Sequence, residues 1–243
     1  MNIVVLMAGD NELFKDSAYN FPKPLIEIDN KPMVQHVVEN IMPLIEHGDK
    51  VIFVTRKEDS EKYYLTNTLQ LLVPDAVVVP VSGNTSGAAV TALLAIEEMN
   101  EEKSLLIING DQIIEKNLLE LVNKMKDVDA GVVVFRSVHP RWSFVRCDED
   151  GYVVESAEKR PISNLATAGF YYYKKAGSFI EAAKRMILKG SHVNNAYYVC
   201  PVFNEMILDN KKIIVTKIED KEYHSLSTPK MVSKYEEYLI NKC

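Results

Sequence analysis

The chain has 243 residues, is 47% hydrophobic, and carries 28 basic against 34 acidic side chains for a net charge of −6. That length buries enough surface to fold as one domain over residues 1–243 without disulfide or metal staples, and an acidic balance with no basic run excludes a general nucleic-acid or membrane-surface binder. Cys147, Cys200 and Cys243 form no C-x-x-C pair, and no apolar run reaches the roughly 18 residues of a membrane span, so small-molecule partners and a cytoplasmic setting are expected. The first strand is expected at Ile3 to Met7, because the N-terminal stretch lacks the basic n-region of a leader. Further strands are expected at Val51 to Thr55, Ala76 to Val81, Leu105 to Ile108 and Val132 to Phe135, continuous Val/Ile-rich runs of the kind buried on both faces of a sheet. Helical spacing links Met33, Val37, Val38, Ile41, Leu44 and Ile45, and again Ala92, Leu93, Ala95, Ile96 and Met99. The alternation implies an α/β fold, a mixed and largely parallel Rossmann-like sheet flanked by helices. After Phe135 the pattern changes: Trp142 to Cys147, an Asp148-Glu149-Asp150-Gly151 turn and Tyr152 to Ser156 read as an inserted antiparallel hairpin. A strand at Ala168 to Tyr173, a helix over Phe179 to Leu188, a strand at Lys212 to Ile218 and a helix at Lys230 to Ile240, opened by Thr228-Pro229, complete the chain.

Ligands of open α/β sheets sit outside the carboxyl ends of the strands, which directs attention to the loops after Met7, Val81 and Ile108. Gly9 would let the backbone approach phosphate oxygens, although a single glycine is equally a turn after a strand. In Pro22-Lys23-Pro24 the prolines favour an extended backbone that aims the lysine at an anion; a stiff surface loop would look the same. Ser82 to Ala89 supplies small residues against which a planar ring could lie, and helix-start chemistry explains much of it too. Asn109-Gly110-Asp111 places a carboxylate at a strand end, suited to magnesium held with substrate phosphates, or to capping the next element. Glu158, Lys159 and Arg160 precede the small-residue stretch Ser163 to Gly169, at the border of the hairpin.

Together these segments resemble the sugar-phosphate nucleotidylyltransferase family. The likeness rests on Leu6-Met7-Ala8-Gly9 with Phe14, Pro22-Lys23-Pro24-Leu25-Ile26, Asn30-Lys31-Pro32-Met33, Gly87-Ala88-Ala89, Gly110-Asp111, Glu158-Lys159, and Ser163-Asn164 with Ala168-Gly169-Phe170-Tyr171. The resemblance implies nucleotide contacts from Met7, Ala8, Gly9, Asp10 and Lys23, from Asn84, Ser86, Gly87 and Ala88, and from Gly110. It implies catalytic roles for Lys23, Asp111 and Lys159, a magnesium ligand in Asp111, and an acceptor pocket with Glu158, Lys159, Asn164 and Gly169. The activity implied is transfer of an NMP group, CMP by preference, from a nucleoside triphosphate to a phosphorylated acceptor with release of pyrophosphate. The acceptor would be a sugar phosphate or a non-sugar such as phosphoglutamine, in bacterial capsule or surface-polysaccharide synthesis, with self-association into a homo-oligomer left open.

Two departures from the family pattern stand out. Leu13 occupies the place of a phosphate-binding arginine, with Lys15 as a nearby substitute. The segment Tyr223 to Pro229 lacks the second metal-binding aspartate, leaving Glu219 or Asp220, or a single aspartate with water, to complete the shell. Two rivals follow: a nucleotide-sugar glycosyltransferase, although Gly110-Asp111-Gln112 is not a D-x-D motif, and a nucleotide-binding module that has lost catalysis.

Overall fold

The structure is a computed structural model and describes residues 1–15, 19–45 and 49–242. The strand-length apolar runs assemble into one mixed sheet in which Val77–Val81, Lys50–Arg56, Asn2–Met7 and Leu105–Asn109 lie side by side and parallel. Asn2–Met7 is central, with Val4 opposite both Ile52 and Ile107, and Ile3, Val4 and Val5 are wholly buried. The chain order reverses between Asn2–Met7 and Leu105–Asn109, so their carboxyl ends form the switch point where such sheets bind ligands. Val77–Val81 is the exception to burial on both faces. It lies at the edge of the sheet with Lys50–Arg56 as its paired neighbour, stays half-buried over Val77 to Val79, and tolerates Pro80 because an edge strand has one unpaired side.

Beyond Leu105–Asn109 the direction alternates. Leu165–Tyr173 runs antiparallel to it, with Phe170 opposite Ile108, and pairs on to Ala130–Arg136 and to the hairpin. The expected hairpin is present as Ser143–Cys147 and Val153–Glu158, its turn closed by Gly151 at φ +86° and by Tyr152 N donating to Asp148 Oδ1 at 2.8 Å. Ile213–Lys217 adds a parallel strand beside Ala130–Arg136.

Helices cover both faces. Met33–Ile41, Leu65–Leu72, Leu118–Met125 and Pro229–Lys242 pack on one, and Ala88–Leu93, Ala176–Leu188 and Val202–Leu208 on the other. Two of the expected helices are shorter than their apolar spacing. The first ends at Ile41 and tightens into a 3-10 turn at Met42–Leu44, where Pro43 has no N–H to continue the ladder. The second begins earlier, at Ala88, and gives way to a 3-10 turn at Ile96–Glu98. The closing helix has the expected cap, with Thr228 Oγ1 accepting from Met231 N at 3.3 Å. Leu118–Met125 escaped the sequence reading, although Asn117 caps it through Leu119 N and Glu120 N.

A small ribbon ties the C-terminal part to the switch point. Gln112–Ile114 pairs antiparallel with Tyr223–Ser225, and Leu226 N donates to Asp111 O at 2.7 Å. Gly110 permits this crowding: it donates to Leu6 O at 2.9 Å, and a Cβ there would lie 2.4 Å from Met7 Cγ. Gly110→Ala should therefore cost about 1–3 kcal/mol through overpacking. Urea unfolding should show a lower midpoint with an unchanged slope.

Candidate active site

At the switch point lies a cleft of about 300 Å³. Its centre is an ion pair, Lys23 Nζ to Asp111 Oδ2 at 2.7 Å, with side chains only 13% and 22% exposed. Partial burial screens this pair less than a surface pair. Lys23 opens a 3-10 turn, Lys23–Leu25, and its N donates to Asn11 Oδ1 at 3.2 Å. The extended backbone expected between the two prolines is thus found only at Pro22, whereas the fixed φ of Pro24 suits the second position of the turn. Asp59, nearly buried beneath the same loop, accepts a hydrogen bond from Asn11, and burial raises its carboxyl above the usual range.

Of the residues singled out from the sequence, Ala8, Gly9, Lys23, Ala88, Asp111, Glu158 and Gly169 line the cleft. The others stand back from it. Met7 is buried behind Gly110, and Asp10 is exposed with its Oδ1 accepting from Glu12 N. Asn84 and Ser86 are exposed on a loop held from behind, for Ser86 O accepts from Tyr197 N at 2.8 Å and Ala89 N donates to Tyr197 O at 2.9 Å. Gly87, at φ +104°, makes this docking possible because a Cβ there would meet Tyr197 O at 2.3 Å. Lys159 is exposed at φ +53°, and its Nζ donates to the Tyr198 hydroxyl at 2.9 Å, so it meets the cleft through that tyrosine. Asn164 is drawn away: its carbonyl accepts from Ser137 N, and it borders a separate groove with Val134 and Lys217.

The substitutes for the departing family positions do not converge either. Asp220 Oδ1 accepts from Arg136 N at 3.0 Å, and Glu219 forms a capping box with Glu222 and an ion pair with Lys221, both away from the cleft. Leu226, wholly buried, is the residue whose backbone meets Asp111. Leu13 is 64% exposed, while the side chain of Lys15 and Cys243 lie outside the described residues.

The structure adds residues that sequence reasoning missed. Thr91, Asn109, Thr167 and Tyr171 line the cleft, and so do Arg141, Trp142, Ser143, Tyr198 and Tyr223. The ribbon brings Tyr223 across from the C-terminal segment. Gly169, at φ +59°, sits where the long strand shifts register, and a Cβ there would lie 2.2 Å from Asn109 Nδ2. Glu158 is 7% exposed and accepts from the Ser143 hydroxyl. Burial raises its carboxyl above the usual range, against the opposing pull of Ser143 and Lys159. Burial, reinforced by the Asp111 charge, pushes the Tyr223 hydroxyl well above the ordinary tyrosine range and keeps it a donor.

Among the described residues no group of three or more His, Cys, Asp or Glu side chains could hold a metal. Asp111 by itself nevertheless fits magnesium bound jointly with a triphosphate, because that ion is usually held by one or two carboxylates plus substrate phosphates and water. Its Oδ2 faces the lysine and its Oδ1 has no hydrogen bond among the described residues.

The cleft thus combines a switch point of a mixed α/β sheet, a lysine–aspartate pair and residues of the inserted hairpin. Residues 3–212 match the family model described as nucleotidyl transferase, and the chain belongs to that family. It is 31% identical over 190 residues to the bifunctional protein GlmU of Methanocaldococcus jannaschii, covering 76% of this chain and 43% of that protein, so it spans less than half the length of that relative. It is 27% identical to the UTP–glucose-1-phosphate uridylyltransferase AglF of Haloferax volcanii, over 72% of this chain and 73% of AglF. The nucleoside-diphosphate-sugar pyrophosphorylase of Vibrio cholerae RC9 shares the fold with a TM-score of 0.86 at 21% identity, covering 97% of this chain and 99% of that one. A UDP-glucose pyrophosphorylase complexed with UDP-glucose shares it at 0.75 and 16% identity, over 100% and 99%.

Glu158 generates a pH prediction. As pH rises above the ordinary value of 4.5, the unfolded chain loses this proton while the folded chain retains it, so stability falls until Glu158 itself ionises. Glu158→Gln should melt higher than wild type at pH 7, and thermal scans should show the difference closing below pH 4.5.

Proposed function

We propose that residues 1–243 work as one magnesium-dependent nucleotidyltransferase unit, moving an NMP group from a nucleoside triphosphate to a phosphorylated small molecule with release of pyrophosphate. The observation that carries this reading is the Lys23–Asp111 pair at the switch point, beside Ala8 and Gly9 and facing Glu158 across the cleft. The names of the relatives support a sugar phosphate as acceptor, since AglF is a uridylyltransferase of glucose 1-phosphate. CMP as the transferred group and a place in capsule synthesis rest on the family resemblance and the altered first loop with Leu13. A cytoplasmic location agrees with the need for a triphosphate, and no helix among the described residues is long and apolar enough to cross a membrane.

The chain's own groups suffice for positioning. A phosphate monoester has its second pKa near ~6 and is already a nucleophile at neutral pH, so no general base is required. The acceptor oxygen attacks the α-phosphorus while the bond to the β-phosphate breaks, and Lys23 with the backbone at Ala8 and Gly9 stabilises the spreading negative charge. Magnesium held by Asp111 would add charge neutralisation on the triphosphate. Glu158 faces acceptor hydroxyls, and Lys159 approaches the acceptor phosphate from the rim beside Tyr198.

Thermal scans with ATP, CTP, GTP, UTP and dTTP, each with and without magnesium, test the nucleotide half of the reading. A magnesium-dependent shift with CTP is expected; a shift with a sugar nucleotide alone would favour a glycosyltransferase, and binding without pyrophosphate release a module without catalysis. Asp111→Ala should abolish the magnesium-dependent shift and turnover, and wild-type rates would exclude its role. Lys159→Ala should raise the acceptor KM roughly tenfold or more while leaving the nucleotide KM unchanged.

A further inference from the structure

A second groove, of about 530 Å³, opens beside the cleft, and Arg141, Trp142 and Tyr223 line both. It continues from the acceptor side, since no residue of the first loop, of the Lys23 turn or of residues 82–89 borders it. Arg136, Arg141, Lys230 and Lys234 line it, and among the described residues none has a carboxylate within ion-pair distance. Its one acid, Asp220, already accepts from Arg136 N.

This is unusual for a chain of net charge −6, in which Arg146 and Arg160 share Glu155 and Arg185 holds Asp209. Four unpaired cations in one groove repel one another and gain from an anion that enters it. The 14-residue helix Pro229–Lys242 begins there and adds the positive end of its dipole. The floor is aromatic: Phe135 lies 4.6 Å from Tyr223 and 5.4 Å from Trp142, centroid to centroid, and the Arg141 guanidinium sits 4.0 Å over the Trp142 ring. The groove thus offers apolar contact to a ligand body and positive charge to its end.

We propose that this groove binds a second anionic group at the far end of the acceptor, so that the preferred acceptor bears a carboxylate or a second phosphate besides the phosphate that reacts. The proposal rests on the transferase reading for the word acceptor, and on the groove alone for the chemistry of the ligand.

Trp142 is the single tryptophan of the chain, so intrinsic fluorescence reports on the floor shared by groove and cleft. Titrations with glucose 1-phosphate, glucuronate 1-phosphate and glucose 1,6-bisphosphate should show one or both doubly anionic probes binding roughly tenfold or more tighter than the first. Whichever binds tighter names the distal group as carboxylate or phosphate. The triple variant R136A/K230A/K234A should erase that preference while leaving glucose 1-phosphate within about twofold of wild type. The milder R136Q/K234Q should weaken it if the triple variant fails to fold. Equal affinities in the wild type, or a preference that survives in both variants, would overturn the proposal. Pyrophosphate release measured in parallel separates the two claims: a preference in binding without release with any acceptor keeps the groove and sinks the transferase, and release without preference does the reverse.

Discussion

Two neighbouring parallel strands whose chain connections run to opposite sides of the sheet create the position on which everything else depends. The carboxyl ends of Asn2–Met7 and Leu105–Asn109 hold Lys23 and Asp111 at 2.7 Å, with Gly110 small enough for one loop to press on the other. Both charges are partly removed from water, so each depends on the other or on a ligand that replaces it. Under the proposed function, a triphosphate bringing its own cation would be such a ligand.

The opposite wall works by a different balance. Glu158 is buried and Tyr223 half-buried, and the ionisation of both is disfavoured, so this wall presents protonatable and hydrogen-bonding groups among aromatic rings. Positive charge comes from Arg141 over Trp142, from Lys159 on Tyr198 and from the other cations of the adjoining groove. A strongly ionic wall facing an amphipathic one suits the proposed reaction, which would join two phosphates while discriminating what the second one is attached to.

The C-terminal ribbon shows how a missing carboxylate is accommodated. Where the resemblance calls for a second metal-binding aspartate, Leu226 is buried and donates its N–H to Asp111 O, and Tyr223 turns its ring into the cleft. The segment still braces the aspartate loop, through backbone and packing in place of coordination. Asp220 spends its carboxylate on the Arg136 backbone instead.

The amino-acid sequence alone determined most strands of the main sheet, because runs such as Leu105 to Ile108 and the Asp148 to Gly151 turn carry local information of period and turn chemistry, whereas the edge position of Val77–Val81 and the Gln112–Ile114 ribbon came from the tertiary structure. It also pointed to the switch point, because Gly9 and Asp111 closely follow strand ends, while Lys23 stood out only by its two flanking prolines. The wall opposite was not legible in that way. Arg141, Trp142, Tyr198 and Tyr223 come from segments far apart in the chain, and only the pairing of Gln112–Ile114 with Tyr223–Ser225 and the docking of Tyr197 on Ser86 bring them to one wall. Asn164 and Asn84 face elsewhere for the same reason: neighbourhood in sequence sets which strand end a residue is near, and tertiary contacts set which side of it the residue faces.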